Sequence, residues 1–313
     1  MQLAEGIEEF LAYLLVELNR SPKTVSGYRK DYRVLQRFLE ERGETTLERI
    51  TPEVLGEYLV YLGKDLHYQA NTLRRHVASL KSLFGFLTEA GYIAANPAAN
   101  LVRPRIPRRQ PRYLTREEVE RLFQSVPGEG SFTARRDQTI LMTMYYAGAR
   151  VEEVVNIRIA DVNFAEGFLC LRKGKGRKPR RVPLHPELGE QIKTYLEREG
   201  SRLGQYLFGN RNKERLTTEY VRQITRAYGE KAGIKTRVTP HMLRHSFATH
   251  LYRKGADILN LRRLLGHEKV QTTAVYVHSD IKHLQAAVAR LPAPRRLLQQ
   301  LGEGDLLEGS TAG

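Results

Sequence analysis

Apolar residues in the first hundred positions recur at helical intervals. After Ser21-Pro22, which read as N-cap and first helical residue, Val25, Tyr28, Tyr32, Leu35, Phe38 and Leu39 return at three- and four-residue steps until Gly43. This spacing predicts an amphipathic helix with a polar back. A second long helix is expected from near Gln69, burying Leu73, Val77, Leu80, Leu83, Phe84 and Leu87 and closed by Gly91. Shorter helices are expected at about 3–19 and 52–63. No alternating strand pattern interrupts them, so residues 1–96 read as a compact bundle of four or five helices.

The pattern breaks at 97–112. Pro97, Pro104, Pro107 and Pro111 interrupt helix formation, and Arg103, Arg105, Arg108, Arg109 and Arg112 set cations between them. An extended basic linker is expected, whose arginines meet phosphates. Beyond it, Thr115 and Glu118 match a capping box, which opens a helix at 115–126. An apolar helix follows at about 134–147 and ends at Gly148, and helical spacing resumes from Val151 to Ile157. Phe168–Leu171 and Arg180–Leu184 are strand-like runs flanking Gly174-Lys175-Gly176, which reads as a basic hairpin. After Pro186 the expectation is helix throughout. The fold class is therefore mainly α with a small antiparallel sheet in a second domain at 113–290, followed by a Gly-rich tail at 291–313.

Composition adds a partner to this outline. A chain of 313 residues suits two domains, and no run approaches the roughly 18 apolar residues of a membrane span. Lys+Arg number 51 against 35 Asp+Glu, a net charge of +16, which points to a polyanion. Residues 1–100 hold 12 basic and 13 acidic side chains, whereas 101–290 hold 37 and 19, so the excess lies wholly in the second part. Met1 to Phe10 is acidic and does not read as a secretion signal. The single Cys170 cannot form an intramolecular disulfide, which suits a reducing cytoplasm, and in its apolar strand it reads as a buried structural thiol.

Several chemistries lack their signatures. There is no Gly-x-x-x-x-Gly-Lys-Ser/Thr loop and no Gly-x-Gly-x-x-Gly after a strand, so no nucleotide cofactor is expected; Gly-x-Ser-x-Gly is missing too. What stands out is His241-Met242-Leu243-Arg244-His245 after Pro240, then Leu265-Gly266-His267, then Tyr276. On a helix His241, Arg244 and His245 share one face. Two histidines at i and i+4 also fit zinc, but the metalloprotease form needs Glu directly after the first His, and Met242 stands there. No metal site is expected.

Together with Gly148-Ala149-Arg150 and the Lys175 hairpin, this ordered set resembles the tyrosine recombinase (phage integrase) family, in particular its compact Xer-type members. The resemblance covers about residues 5–290. Ser21-Pro22-Lys23-Thr24, Asn71-Thr72-Leu73-Arg74-Arg75 and Asn96-Pro97 carry its looser half; Arg150, Lys175, His241, Arg244, His267 and Tyr276 carry the stronger one, with 23 residues from Arg244 to His267 and nine more to Tyr276. It implies a two-domain clamp on duplex DNA, with a SAM-like helical core-binding domain and a catalytic domain. It also implies recognition of a specific recombination site, two protomers per site and a tetrameric synapse, either as homo-oligomer or with a related recombinase. The implied setting is cytoplasmic and nucleoid-associated. Chromosome dimer resolution, serving chromosome partition and cell division, or a simple mobile-element role is expected, without cofactor.

The chemistry suits each residue. A phosphodiester under attack gathers charge on its non-bridging oxygens, and planar guanidinium groups match it, so Arg150 and Arg244 read as a clamp. A tyrosine of ordinary pKa about 10 is scarcely ionised at neutral pH and needs help to attack. The resemblance makes Tyr276 the nucleophile, His241 the base, Lys175 the acid for the departing 5′-oxygen and His267 a further phosphate donor. Glu153 and His245 take supporting roles, Glu153 orienting the site. Arg74, Arg75 and the linker arginines Arg103, Arg105, Arg108 and Arg109 are expected at the DNA backbone. A type IB topoisomerase, a DNA-binding protein without catalysis and a basic RNA-binding scaffold are the competing readings.

Overall fold

Local signals begin most of the helices in the computed structural model, which describes residues 1–105, 112–127, 131–172 and 179–266. The chain divides into two compact units, 1–109 and 110–313. In the first, Ser21 accepts the Thr24 amide at 3.1 Å and Pro22 fills the next position, so a helix starts there. Thr51 and Pro52 do the same for a later one. The four α-helices described in this unit are α1 (Leu3–Val16), α2 (Pro22–Glu40), α3 (Pro52–Lys64) and α4 (Ala70–Glu89). Their apolar stripes close one core around Leu11, Leu35, Tyr58, Leu80 and Phe84. Within it Asp31 is buried, 2.8 Å from the exposed Arg75.

The second unit opens as expected with α5 (Arg116–Gln124), whose Thr115–Glu118 capping box is closed from both sides. It continues with α6 (Phe132–Tyr146) and the short α7 (Val151–Val154). Three strands, β1 (Val162–Asn163), β2 (Phe168–Leu171) and β3 (Arg180–Pro183), form an antiparallel sheet in chain order, with Val162 opposite Leu169 and Cys170 opposite Arg181. Four helices follow, α8 (Pro186–Glu199), α9 (Thr218–Lys231), α10 (Pro240–Arg253) and α11 (Ile258–Leu265). Helix α6 lies at the centre and packs on α8 and α10.

Two expectations need correction. The chain is not helical throughout after Pro186: between α8 and α9 it runs irregularly, with isolated bridges pairing Arg158 to Tyr206 and Gly209 to Arg215. Asn210 caps its turn by accepting the Asn212 and Glu214 amides, both at 2.9 Å. Leu203, Leu207, Phe208 and Leu216 from this stretch are buried, and the Gly209 carbonyl takes a hydrogen bond from the buried Arg136 at 2.9 Å. Core filling thus decides its path. Cys170, in turn, is only half-buried, because strand alternation sends Leu169 and Leu171 inward instead.

Candidate active site

Helix α6 ends in a turn that only glycine fits. Gly148 has φ +55°, and a Cβ there would lie 2.4 Å from the Phe247 ring of α10. That close approach lets α10 pass directly behind the next residues. Ala149 is buried, and Arg150 follows in extended conformation as the N-cap of α7.

Arg150 is held from two sides. Its backbone N–H donates to Glu153 Oε2 at 2.8 Å, its Nη1 to Glu153 Oε1 at 3.0 Å, and its Nη2 to the Gly266 carbonyl at 3.2 Å. Glu153 is itself 3% exposed. Burial pushes its pKa up, but Arg180 and Arg150 outweigh this and hold the carboxyl below its ordinary value. Glu153 therefore stays ionised and fixes Arg150.

Helix α10 supplies the second arginine. Thr239 accepts the Met242 amide at 3.2 Å and Pro240 takes the first turn, which puts His241 at the head of the helix and Arg244 one turn on. Arg244 is only 2% exposed, and its guanidinium donates to the Gly148 carbonyl and the Leu265 carbonyl, each at 2.5 Å. His241 is exposed, yet partial desolvation followed by the charges of Arg244 and Arg150 lowers its pKa. A neutral imidazole beside two cations is thereby favoured at neutral pH. His245 is buried, edge-on to Tyr113 with ring centroids 6.2 Å apart.

A residue that sequence reasoning missed completes the cluster. Arg180 of β3 donates through Nε to the Leu264 carbonyl at 2.7 Å and through both Nη atoms to Glu153, one of these bonds at 2.8 Å. The carbonyls of Leu264, Leu265 and Gly266 at the end of α11 thus each accept from a different arginine: Arg180, Arg244 and Arg150. A helix C-terminus leaves such carbonyls without intrahelical partners, and cations are favoured there. The signal was present in the alternation of β3, where Arg180 shares the inward face with the buried Val182.

The structure thus brings Arg150, Glu153, His241 and Arg244 to one place. Lys175, His267 and Tyr276 lie outside the described residues, as do Arg108 and Arg109. Arg74, Arg103 and Arg105 are exposed, and Arg75 carries its pair with Asp31. Fixed guanidinium groups beside a neutral imidazole can neutralise a phosphate diester and take up a proton.

Comparison with known proteins adds an independent view. A model of the phage integrase family matches residues 112–283, and one of the phage integrase N-terminal SAM-like domain matches 7–91. Tyrosine recombinase XerA of Pyrococcus furiosus is 38% identical over 294 residues, covering 92% of this chain and 94% of that protein. Tyrosine recombinase XerC of Oceanobacillus iheyensis is 34% identical over 293 residues, covering 91% and 95%. Among solved structures, a post-cleavage complex of XerH with its palindromic difH substrate superposes with TM-score 0.73 at 23% identity, covering 91% of this chain and 83% of that one. A lambda integrase tetramer bound to a Holliday junction gives 0.72 at 20% identity, with 88% and 77% covered.

Proposed function

This chain belongs to the phage integrase family, the tyrosine recombinases, and on that premise we propose that it performs site-specific recombination with Tyr276 as its nucleophile. As a tyrosine recombinase it is an enzyme that cleaves and rejoins DNA. In the proposed reaction the Tyr276 oxygen attacks the scissile phosphorus, and His241 takes the phenolic proton. The bond to the 5′-oxygen breaks, Lys175 protonates that oxygen, and a 3′-phosphotyrosyl link remains. Attack by a 5′-hydroxyl reverses these steps and frees Tyr276. One phosphodiester is exchanged for another of similar energy, so rejoining needs no ATP.

The observation that carries this reading is the joint anchoring of Arg150 and Arg244 on adjacent carbonyls, Gly266 and Leu265, with His241 one turn before Arg244. Two guanidinium groups so fixed need no reorganisation as charge develops on the phosphate, and loss of one is expected to slow cleavage about a hundredfold to a thousandfold. His267 would add a donor from the residue directly after Gly266. Glu153 would orient Arg150, His245 would support α10, and Arg74, Arg75, Arg103, Arg105, Arg108 and Arg109 would meet the DNA backbone.

The biological setting proposed is chromosome dimer resolution or simple mobile-element integration and excision, by a cytoplasmic, nucleoid-associated enzyme. Its support is that relatives at 34% and 38% identity over most of the chain are named tyrosine recombinases of the Xer type. Exchange through a Holliday junction by a tetramer is proposed from the described assembly of that integrase.

The test is a nicked suicide duplex carrying the recombination site, found beside the gene or by selection. Wild type should form an SDS-resistant 3′-phosphotyrosyl complex and Tyr276→Phe should not. Specific binding by both without any adduct would instead favour a DNA-binding protein without catalysis.

A further inference from the structure

We infer that Arg180 is a positioning residue for strand cleavage, acting through Glu153 on Arg150 and through Leu264 on the end of α11. This rests on the recombinase reading above. The geometry is specific. Arg180 is nearly buried, with 9% of its side chain exposed, and its partner Glu153 retains 4%. Its guanidinium spends both Nη groups on the two carboxylate oxygens and its Nε on the Leu264 carbonyl at 2.7 Å. Three of its five N–H donors are thus committed to Glu153 and Leu264, and the guanidinium acts on the site through those partners.

What it does instead follows from the bonds of its partners. Glu153 Oε1 and Oε2, the atoms that Arg180 holds, are the same atoms that accept from the Arg150 guanidinium at 3.0 Å and from its amide at 2.8 Å. Rotation of the carboxylate would therefore misaim Arg150. Leu264 lies three positions before His267, so the same guanidinium also fixes the end of α11. Only a fork with a third N–H serves both partners at once; a lysine keeps the charge but has no planar geometry. The neighbouring Arg181 points the other way and stacks on Phe168 at 4.6 Å, which makes it a matched control on the same strand.

The experiment compares wild type, Arg180→Lys and Arg181→Lys in full-length protein on the suicide duplex, with the cleavage rate measured at saturating protein. Thermal unfolding and duplex affinity are measured alongside. Arg180→Lys should fold and bind like wild type but cleave about ten- to a hundredfold more slowly, the scale of losses when a group that orients a functional residue is removed. Arg181→Lys should cleave at the wild-type rate. A methylphosphonate at the scissile position removes the non-bridging negative charge that Arg150 neutralises, so the Arg180→Lys deficit should shrink on that substrate. A merely structural lesion would not respond in this way.

Unchanged cleavage by Arg180→Lys overturns the inference, as does a deficit fully accounted for by lost folding or lost affinity. An equal loss in Arg181→Lys, or an undiminished deficit on the methylphosphonate, overturns it too. Failure of wild type to form an adduct at all sinks the recombinase reading instead, which keeps the two failures apart.

Discussion

Arg150 and Glu153 are bonded twice: Glu153 Oε2 accepts the Arg150 amide at 2.8 Å while Oε1 accepts its guanidinium at 3.0 Å. One carboxylate thus caps the first turn of α7 and aims the side chain of the cap residue. Because Arg180 shares that carboxylate, the buried Glu153 charge lies between two cations, Arg180 nearly buried and Arg150 with 32% of its side chain exposed.

Glu153→Gln keeps the shape and removes the charge. Breaking a buried pair from one side costs on the order of 3–5 kcal/mol, and unfolding in urea should report a loss of that size. The pH dependence has a definite sign. Since Glu153's folded pKa is lowered from 4.5, its contribution is present above pH 4.5 and is lost as pH falls through the lower folded value. The variant should therefore show a shallower decline in stability below pH 4.5 than wild type. An identical acid profile would remove Glu153 from the linkage.

His241 sets a second pH dependence, this time on rate. Its pKa is lowered from 6.5, first by desolvation and then by Arg244 and Arg150, so the neutral base persists to more acidic pH than an ordinary histidine allows. Cleavage should be flat across pH 7 and fall only below about 6.5 on the acid side. His241→Gln should lack that limb. A limb centred above pH 6.5, or one retained in the variant, would exclude His241 as the base.

Gly148→Ala places a methyl group 2.4 Å from the Phe247 ring on a backbone with φ +55°. Left-handed backbone costs an alanine about 1–2 kcal/mol and overpacking a further 1–3, so the variant should lose about 2–5 kcal/mol in chemical denaturation. Adding Phe247→Leu should restore part of the packing loss. Since the Gly148 carbonyl accepts from Arg244, cleavage should fall in the single variant more than stability alone explains.

Arg105 is exposed near the end of the first unit, and Arg108 lies three positions on. If both meet phosphates, replacing them with Ala should weaken binding to every duplex and reduce the slope of log affinity against log salt by about two. Titrations at several salt concentrations read this directly. An unchanged slope takes the linker out of the interface.

The sequence by itself determined the features that depend on near neighbours. Ser21-Pro22, Thr51-Pro52 and the Thr115–Glu118 box start helices through bonds spanning three residues, and the stop at Gly148 reflects a single positive φ. The pairing of His241 with Arg244 was legible for the same reason, since they share one helical turn, whereas Arg150 came from the family resemblance. Tertiary structure alone decided what those arginines hold. Arg150 and Gly266 are 116 positions apart, and Arg180 and Leu264 are 84 apart, so nothing in the local pattern announces that three arginines cap one helix end. The irregular path between α8 and α9 was hidden likewise, because it is set by the places that Leu207, Phe208 and Leu216 fill in a core built from distant helices. A hydrophobic period reports which face is buried; a buried guanidinium or carbonyl is satisfied by whatever the fold brings within about 3 Å, and that is a property of the whole chain.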